Sequence, residues 1–206
     1  MIVFSKEFPV SRVFDCMENI IQREKFTKID MNIMYGLYIA TEARRRHGGK
    51  IVLLPCTTIE NGEAVRDSSR FLPDGLDGVE FVFQPMAYKD HWVLVVLGQT
   101  GSKLGLKVYD SFKMFSNSFQ RAVSTFEEIL QDRYSIRLRR TQWAICTQQS
   151  SNSTFCGLYT IAYAISLLQD TARFQEENLE LGSSFEEKGL PILRDTLLLQ
   201  ILRCVR

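Results

Sequence analysis

Three β-rich runs follow one another within about thirty residues: Val79–Pro85 (VEFVFQP), Trp92–Leu97 (WVLVVL) and Leu104–Tyr109 (LGLKVY). The links between them, carrying Lys89-Asp90 and Gln99-Thr100-Gly101-Ser102, are too short for a crossover helix, so the runs predict antiparallel neighbours in one sheet. A helix over 116–132 follows, because Phe119, Val123, Phe126, Ile129 and Leu130 recur at helical spacing. Tyr134–Leu138 reads as a further strand, and Trp143–Cys146 as one more short strand. Upstream, positions 10, 13, 14, 17, 20 and 21 share one helical face. A second helix begins at Asp30, whose side chain can cap it, and stops at Gly48-Gly49 after Arg44–Arg46 and His47. The apolar run Ile51–Leu54 is a buried strand or a helix-to-loop connection, and 57–78 reads as loop, with turns at Asn61-Gly62 and Pro73-Asp74-Gly75. Cys156 opens an apolar run through Leu168 that is too long for a strand and predicts a buried helix. Residues 190–203 predict a packing helix, and the Glu- and Gln-rich stretch 170–188 a mobile connection. The expected class is α+β: a mostly antiparallel sheet of about four strands with helices against it.

Composition removes several functions. With 206 residues, the chain predicts one domain or at most two small ones, and 45% hydrophobic with 24% charged residues is ordinary globular usage. A net charge of +1 provides no global field for nucleic acid or an anionic membrane, so neither is expected as a partner. No secretory leader and no stretch of ~18 apolar residues is evident. Five scattered cysteines (16, 56, 146, 156, 204) suit a reducing compartment better than a disulfide framework. No C-x-x-C pair and no Gly-rich phosphate loop occur, and only two distant histidines are present, so neither a metal nor a cofactor is expected.

Three residues at element boundaries can carry chemistry. His91 enters the second β run, Asp110 ends the third in V-Y-D-S-F, and Cys156 begins the buried helix after a polar loop. A thiol at a helix N-terminus gains from the dipole and free N–H groups, both of which favour thiolate. An imidazole beside it takes the thiol proton, and a carboxylate behind the imidazole sets its tautomer. Acyl transfer also needs an oxyanion donor, for which Gln148 and Gln149 precede the cysteine.

The motifs D-H-W at 90–92, Y-D-S at 109–111, Q-Q at 148–149 and C-G-L-Y at 156–159 occur in the order His, Asp, Gln, Cys. Together with K-I-D-M-N-I-M-Y-G-L-Y upstream, they resemble the ubiquitin-like-protein-specific cysteine proteases, the SUMO-deconjugating family, over about residues 26–170. The resemblance implies a papain-like fold with the nucleophile at a helix N-terminus, filling 1–206 as a single catalytic domain. It implies Cys156 as nucleophile, His91 as base and then acid, Asp110 as its orienter and Gln149 as oxyanion donor. Trp92 would roof a tunnel for a Gly-Gly tail, Asp30 would sit near the substrate groove, and Phe155 stands where the family usually carries an acid. The family's Gln usually lies six residues before the cysteine, whereas Gln149 lies seven before and Ser150 takes the sixth place. The implied partner is a ubiquitin-like modifier, SUMO or ubiquitin, met by a monomer in the nucleus or cytoplasm, or in host cytosol for an effector or viral protein.

Taken singly, His91 is a strand-edge histidine, Asp110-Ser111 a turn, and Cys156 a small buried hydrophobe. Their ordered combination favours a cysteine peptidase or isopeptidase. The alternatives are a deubiquitinase, a viral, mobile-element or bacterial-effector protease of the same fold, an acetyltransferase effector, and a catalytically dead binding module. His47 reads as a solvated helix end and Arg44–Arg46 as a solvated face. Trp143 reads as core, and Cys16, Cys56, Cys146 and Cys204 as structural thiols.

Overall fold

The runs at 79–109 form a β-meander: β3 (Phe81–Tyr88), β4 (His91–Thr100) and β5 (Lys103–Tyr109) pair antiparallel, with Ala87 opposite Trp92 and Leu94 opposite Tyr109. The computed structural model describes residues 10–22, 25–59, 63–89, 91–100, 103–112, 117–151 and 153–205. Asp90, Asn61-Gly62, Gly101-Ser102 and the Cys204 side chain lie outside the described residues. Parallel strands flank the meander: β1 (Ile51–Leu53) and β2 (Thr57–Thr58) against β3, and β6 (Arg139–Trp143) against β5. The result is a six-stranded, mostly antiparallel sheet ordered β1-β3-β4-β5-β6, with β2 alongside β3.

The unbroken run WVLVVL reflects a sheet covered on both faces. Trp92, Leu94 and Val96 enter one apolar cluster, and Val93, Val95 and Leu97 enter the other. A strand wetted on one face would alternate instead. The first cluster is built with α6 (Cys156–Gln169), α1 (Val10–Gln22), α2 (Lys28–Met34), α3 (Ala40–His47) and α7 (Leu190–Val205). A π-helical turn, Tyr35–Ile39, joins α2 to α3, and Tyr35 reaches across to donate to the Thr160 carbonyl of α6 at 3.2 Å. The second cluster is capped by α5 (Asn117–Tyr134), through Phe119, Val123, Phe126 and Leu130, and by Val65 of α4 (Glu63–Ser69).

Several expectations are corrected. The stretch 57–78 is not all loop, since it contains β2 and α4; Val65 and Leu72 alone are too sparse an apolar signal to mark a helix. The strand expected at Tyr134–Leu138 begins at Arg139, because α5 runs on through Tyr134 and ends at Ser135, with φ 51°. On α1 the buried face turns toward Cys16, with Val13 and Ile20, while Phe14 and Ile21 face outward. Residues 170–188 are structured: a 3-10 turn (Thr171–Phe174), β8 (Asn178–Leu179) paired with β7 (Ile145–Cys146), and a π turn (Phe185–Gly189). Lys107 of β5 fastens this stretch by donating to the Glu176 carbonyl at 2.6 Å, and Arg173 by bonding the Ser166 hydroxyl.

His47 is also not a solvated end. Its side chain is 10% exposed, with Nδ1 2.7 Å from Glu80 and Nε2 2.9 Å from the Leu168 carbonyl. It ties the end of α3 to the end of α6.

Candidate active site

Antiparallel pairing of β4 and β5 puts the start of one strand beside the end of the other. His91 opens β4 and Asp110 follows β5, so the two side chains meet at one end of the sheet. His91 Nε2 lies 2.7 Å from Asp110 Oδ1, and both side chains are under a tenth exposed. Oδ1 also accepts the Phe112 N–H at 2.9 Å, which holds the carboxylate in place. α6 packs across β4, and its first residue, Cys156, brings its thiol into hydrogen-bond contact with the His91 ring. Since Nε2 is engaged by Asp110, the nitrogen facing the sulfur is Nδ1.

Burial alone would lower the affinity of His91 for a proton. Hydrogen bonds and attraction from Asp110 and Cys156 outweigh it, and the imidazole is raised from 6.5 to about 9. The imidazolium is thus the form that these surroundings favour at neutral pH. Burial instead pushes up the thiols of Cys16, Cys56 and Cys146, the remaining cysteines whose side chains are described.

The N-terminus of α6 is arranged around its nucleophile candidate. Phe155, the N-cap residue, provides no side-chain cap. Phe155 itself is half-buried against the apolar core and sits next to the sulfur rather than supplying charge. Gly157 is sterically required: a Cβ there would come within 2.6 Å of the Phe26 ring. Phe26 in turn accepts the Trp92 indole N–H at 2.9 Å through its carbonyl. Trp92 is thereby tied to the Phe26 backbone, and at 4% exposure it packs in the core.

The two glutamines separate clearly. Gln148 turns its amide to the Asp110 and Cys146 carbonyls, at 3.0 and 2.8 Å. Gln149 bridges the loops that carry Asp110 and Cys156: Oε1 accepts from Ser111 Oγ at 2.9 Å, and Nε2 donates to the Ser153 carbonyl at 3.2 Å. One Nε2 hydrogen remains for a further acceptor. The Ser153 N–H donates to the Ser150 carbonyl at 3.0 Å, between Gln149 and Cys156.

Asp30 is turned inward, into the cap of α2. It is 2% exposed and completes a capping box with Thr27, the N-cap of α2, while also accepting from Asn19 at 3.0 Å. The cap therefore lies three residues before the expected one, and Asp30 is the third helical residue. Asp30→Ala would strand the Thr27 N–H and hydroxyl and the Asn19 amide. The expected loss is about 2 kcal/mol of stability, read from denaturant unfolding; an unchanged midpoint would refute the capping role.

Sequence reasoning did not single out Phe26, Phe112, Phe119 or Ser111. Ser111 and Phe112 adjoin Asp110 in Y-D-S-F and were open to suspicion by adjacency; Phe26 carries no local signal, and Phe119 only that of a helical core face. Among the described residues, no three His, Cys, Asp or Glu side chains group to hold a metal. No helix among them is long and apolar enough to cross a membrane.

No protein-family model matches the sequence, and no curated protein matches it. Solved structures do. A de-sumoylating protease superposes with a TM-score of 0.65 at 15% identity, over 93% of this chain and 86% of that one. The SUMO protease Ulp1, with its catalytic cysteine oxidized to a sulfenic acid, gives 0.62 at 11% identity, over 98% of both chains. This chain has the ubiquitin-like-protein protease fold. The Legionella pneumophila effector RavZ gives a TM-score of 0.52 at 12% identity, over 85% of this chain and 64% of that one. At such identities it is the architecture that is shared, and the ubiquitin-like-protein protease fold here carries its own side chains around Cys156.

Proposed function

We propose that this chain is a cysteine hydrolase that cleaves after the C-terminal Gly-Gly of a ubiquitin-like modifier, SUMO first among them, as peptidase or isopeptidase. The observation that carries the reading is the His91 ring, with Asp110 at 2.7 Å on Nε2 and the Cys156 thiol on its other nitrogen. The four described cysteines are unbridged, as a thiol chemistry requires.

In this reading the thiol proton already rests on His91 Nδ1, and the sulfur attacks the carbonyl carbon of the terminal glycine. The negative charge gathering on the carbonyl oxygen is met by the Cys156 N–H and the free Gln149 Nε2 hydrogen. His91 then gives its proton to the leaving amine as the carbon–nitrogen bond breaks, producing a thioester. Water, deprotonated by the same imidazole, attacks the thioester and releases a carboxylate and the thiol. Throughout, Asp110 holds the ring and balances its positive charge.

A panel of SUMO, ubiquitin and related modifiers, each ending in an electrophile after Gly-Gly, tests this directly. Adduct formation at the Cys156 peptide, read by mass spectrometry, is expected for at least one member. No adduct with any member would overturn the reading. Gln149→Ala is expected to lower turnover by on the order of 10²-fold with little change in KM, whereas a neutral result would move the oxyanion donor to the backbone alone.

A further inference from the structure

His91 is flanked by two phenylalanines, each with its ring centroid 6.0 Å away. Phe119 of α5 crosses the imidazole at 89° and is fully buried. Phe112, two residues beyond Asp110, is tilted at 57° and remains 40% exposed. Its backbone N–H donates to Asp110 Oδ1, so this aromatic is tethered to the carboxylate that orients the base. Phe119 already buries against the imidazole, and the open surface of Phe112 adds little to that packing. A lone exposed phenylalanine elsewhere would need no explanation. This one adjoins the group that must reach the substrate.

We infer that Phe112 is a specificity-determining contact for the leaving group, receiving the apolar segment immediately beyond the scissile bond. The inference rests on the hydrolase reading above. In that reaction the leaving nitrogen takes its proton from His91, so it must come within hydrogen-bond distance of the imidazole. The chain attached to that nitrogen then passes the rim of the ring, where Phe112 offers exposed apolar surface. An uncharged aromatic there suits methylene groups. These are supplied by the stem of an acceptor lysine in an isopeptide, or by the first side chain of a linear extension.

The test compares wild type, Phe112→Ala and Phe112→Leu on three reagents bearing the modifier that labels best. The first is the electrophile probe, which has no chain beyond the reactive carbon. The second is the modifier joined through an isopeptide to a lysine-containing peptide, and the third is a linear extension starting with glycine or leucine. For Phe112→Ala, the ratio of isopeptide kcat/KM to probe labelling rate is expected to fall about tenfold, the loss from uncovering roughly two methylenes. The change should fall in KM, and Phe112→Leu should restore most of it. If the linear leucine substrate loses as much while the glycine one does not, the contact reads any apolar side chain; loss on the isopeptide alone assigns it to the lysine stem. Equal losses on probe and isopeptide, with a displaced pH profile for labelling, would make Phe112 a support for His91 and overturn the inference. So would an unchanged ratio. A wild type that labels with no probe fails at the earlier step and removes the hydrolase reading together with this contact.

Discussion

Cys156→Ala is expected to abolish cleavage of a Gly-Gly-linked substrate, by about 10⁶-fold in turnover, the scale seen when a nucleophile is removed from an intact site. No other described cysteine can substitute. Cys16, Cys56 and Cys146 are at most 3% exposed, and burial shifts each toward the inert thiol. Cys16 is further disfavoured by the adjacent Asp30. The fold should survive, because alanine removes a single sulfur from a site at the helix end and costs about 1 kcal/mol. Single-turnover cleavage and thermal unfolding, measured on the same preparation, separate the two effects. Residual turnover above about one hundredth of wild type in a folded variant would place the nucleophile elsewhere.

Asp110→Asn is expected to cost about 10⁴-fold in turnover while leaving the fold intact, as in other triads where the carboxylate becomes an amide. An asparagine oxygen can still accept the Phe112 N–H that Asp110 Oδ1 accepts at 2.9 Å. It cannot supply the charge that offsets the burial of His91. Without it, desolvation dominates and the imidazole falls from about 9. The consequence for stability has a definite sign. A group raised from 6.5 to about 9 on folding contributes its full stabilisation below pH 6.5 and loses it as pH rises through 9. The stability gap between wild type and Asp110→Asn should thus be widest near pH 6, on the order of 3 kcal/mol, and narrow toward pH 10. Urea unfolding across that range checks it, and a gap that widens with pH would refute the assigned ion pair.

The legible features were those that are written locally. The meander at 79–109, the helix carrying Phe119 and Phe126, and the buried helix beginning at Cys156 each announce themselves in residue pattern and length. The same holds for the glycine stop after α3, where Gly48 adopts φ 55°. Less legible elements have weak local signals and are held by distant partners. β6 and β1 pair parallel to strands far along the chain, and α4 is stabilised against α5 with Val65 as its buried apolar anchor. The Glu-rich stretch 170–188 looked mobile because its anchors, Lys107 and Ser166, lie on other elements.

Sequence by itself determined which reactive side chains exist, their order, and that one cysteine heads an apolar helix, because these are properties of the chain's chemistry and short-range periodicity. Tertiary structure decided the assignments that depend on a hydrogen-bond partner. It put Gln149 rather than Gln148 between Ser111 and Ser153, and it placed Asp30 in a capping box. It also drew His47 between Glu80 and the end of α6, and set an exposed Phe112 against His91. A polar or aromatic side chain has several chemically equivalent uses, and only the neighbours that folding brings within a few ångströms select among them.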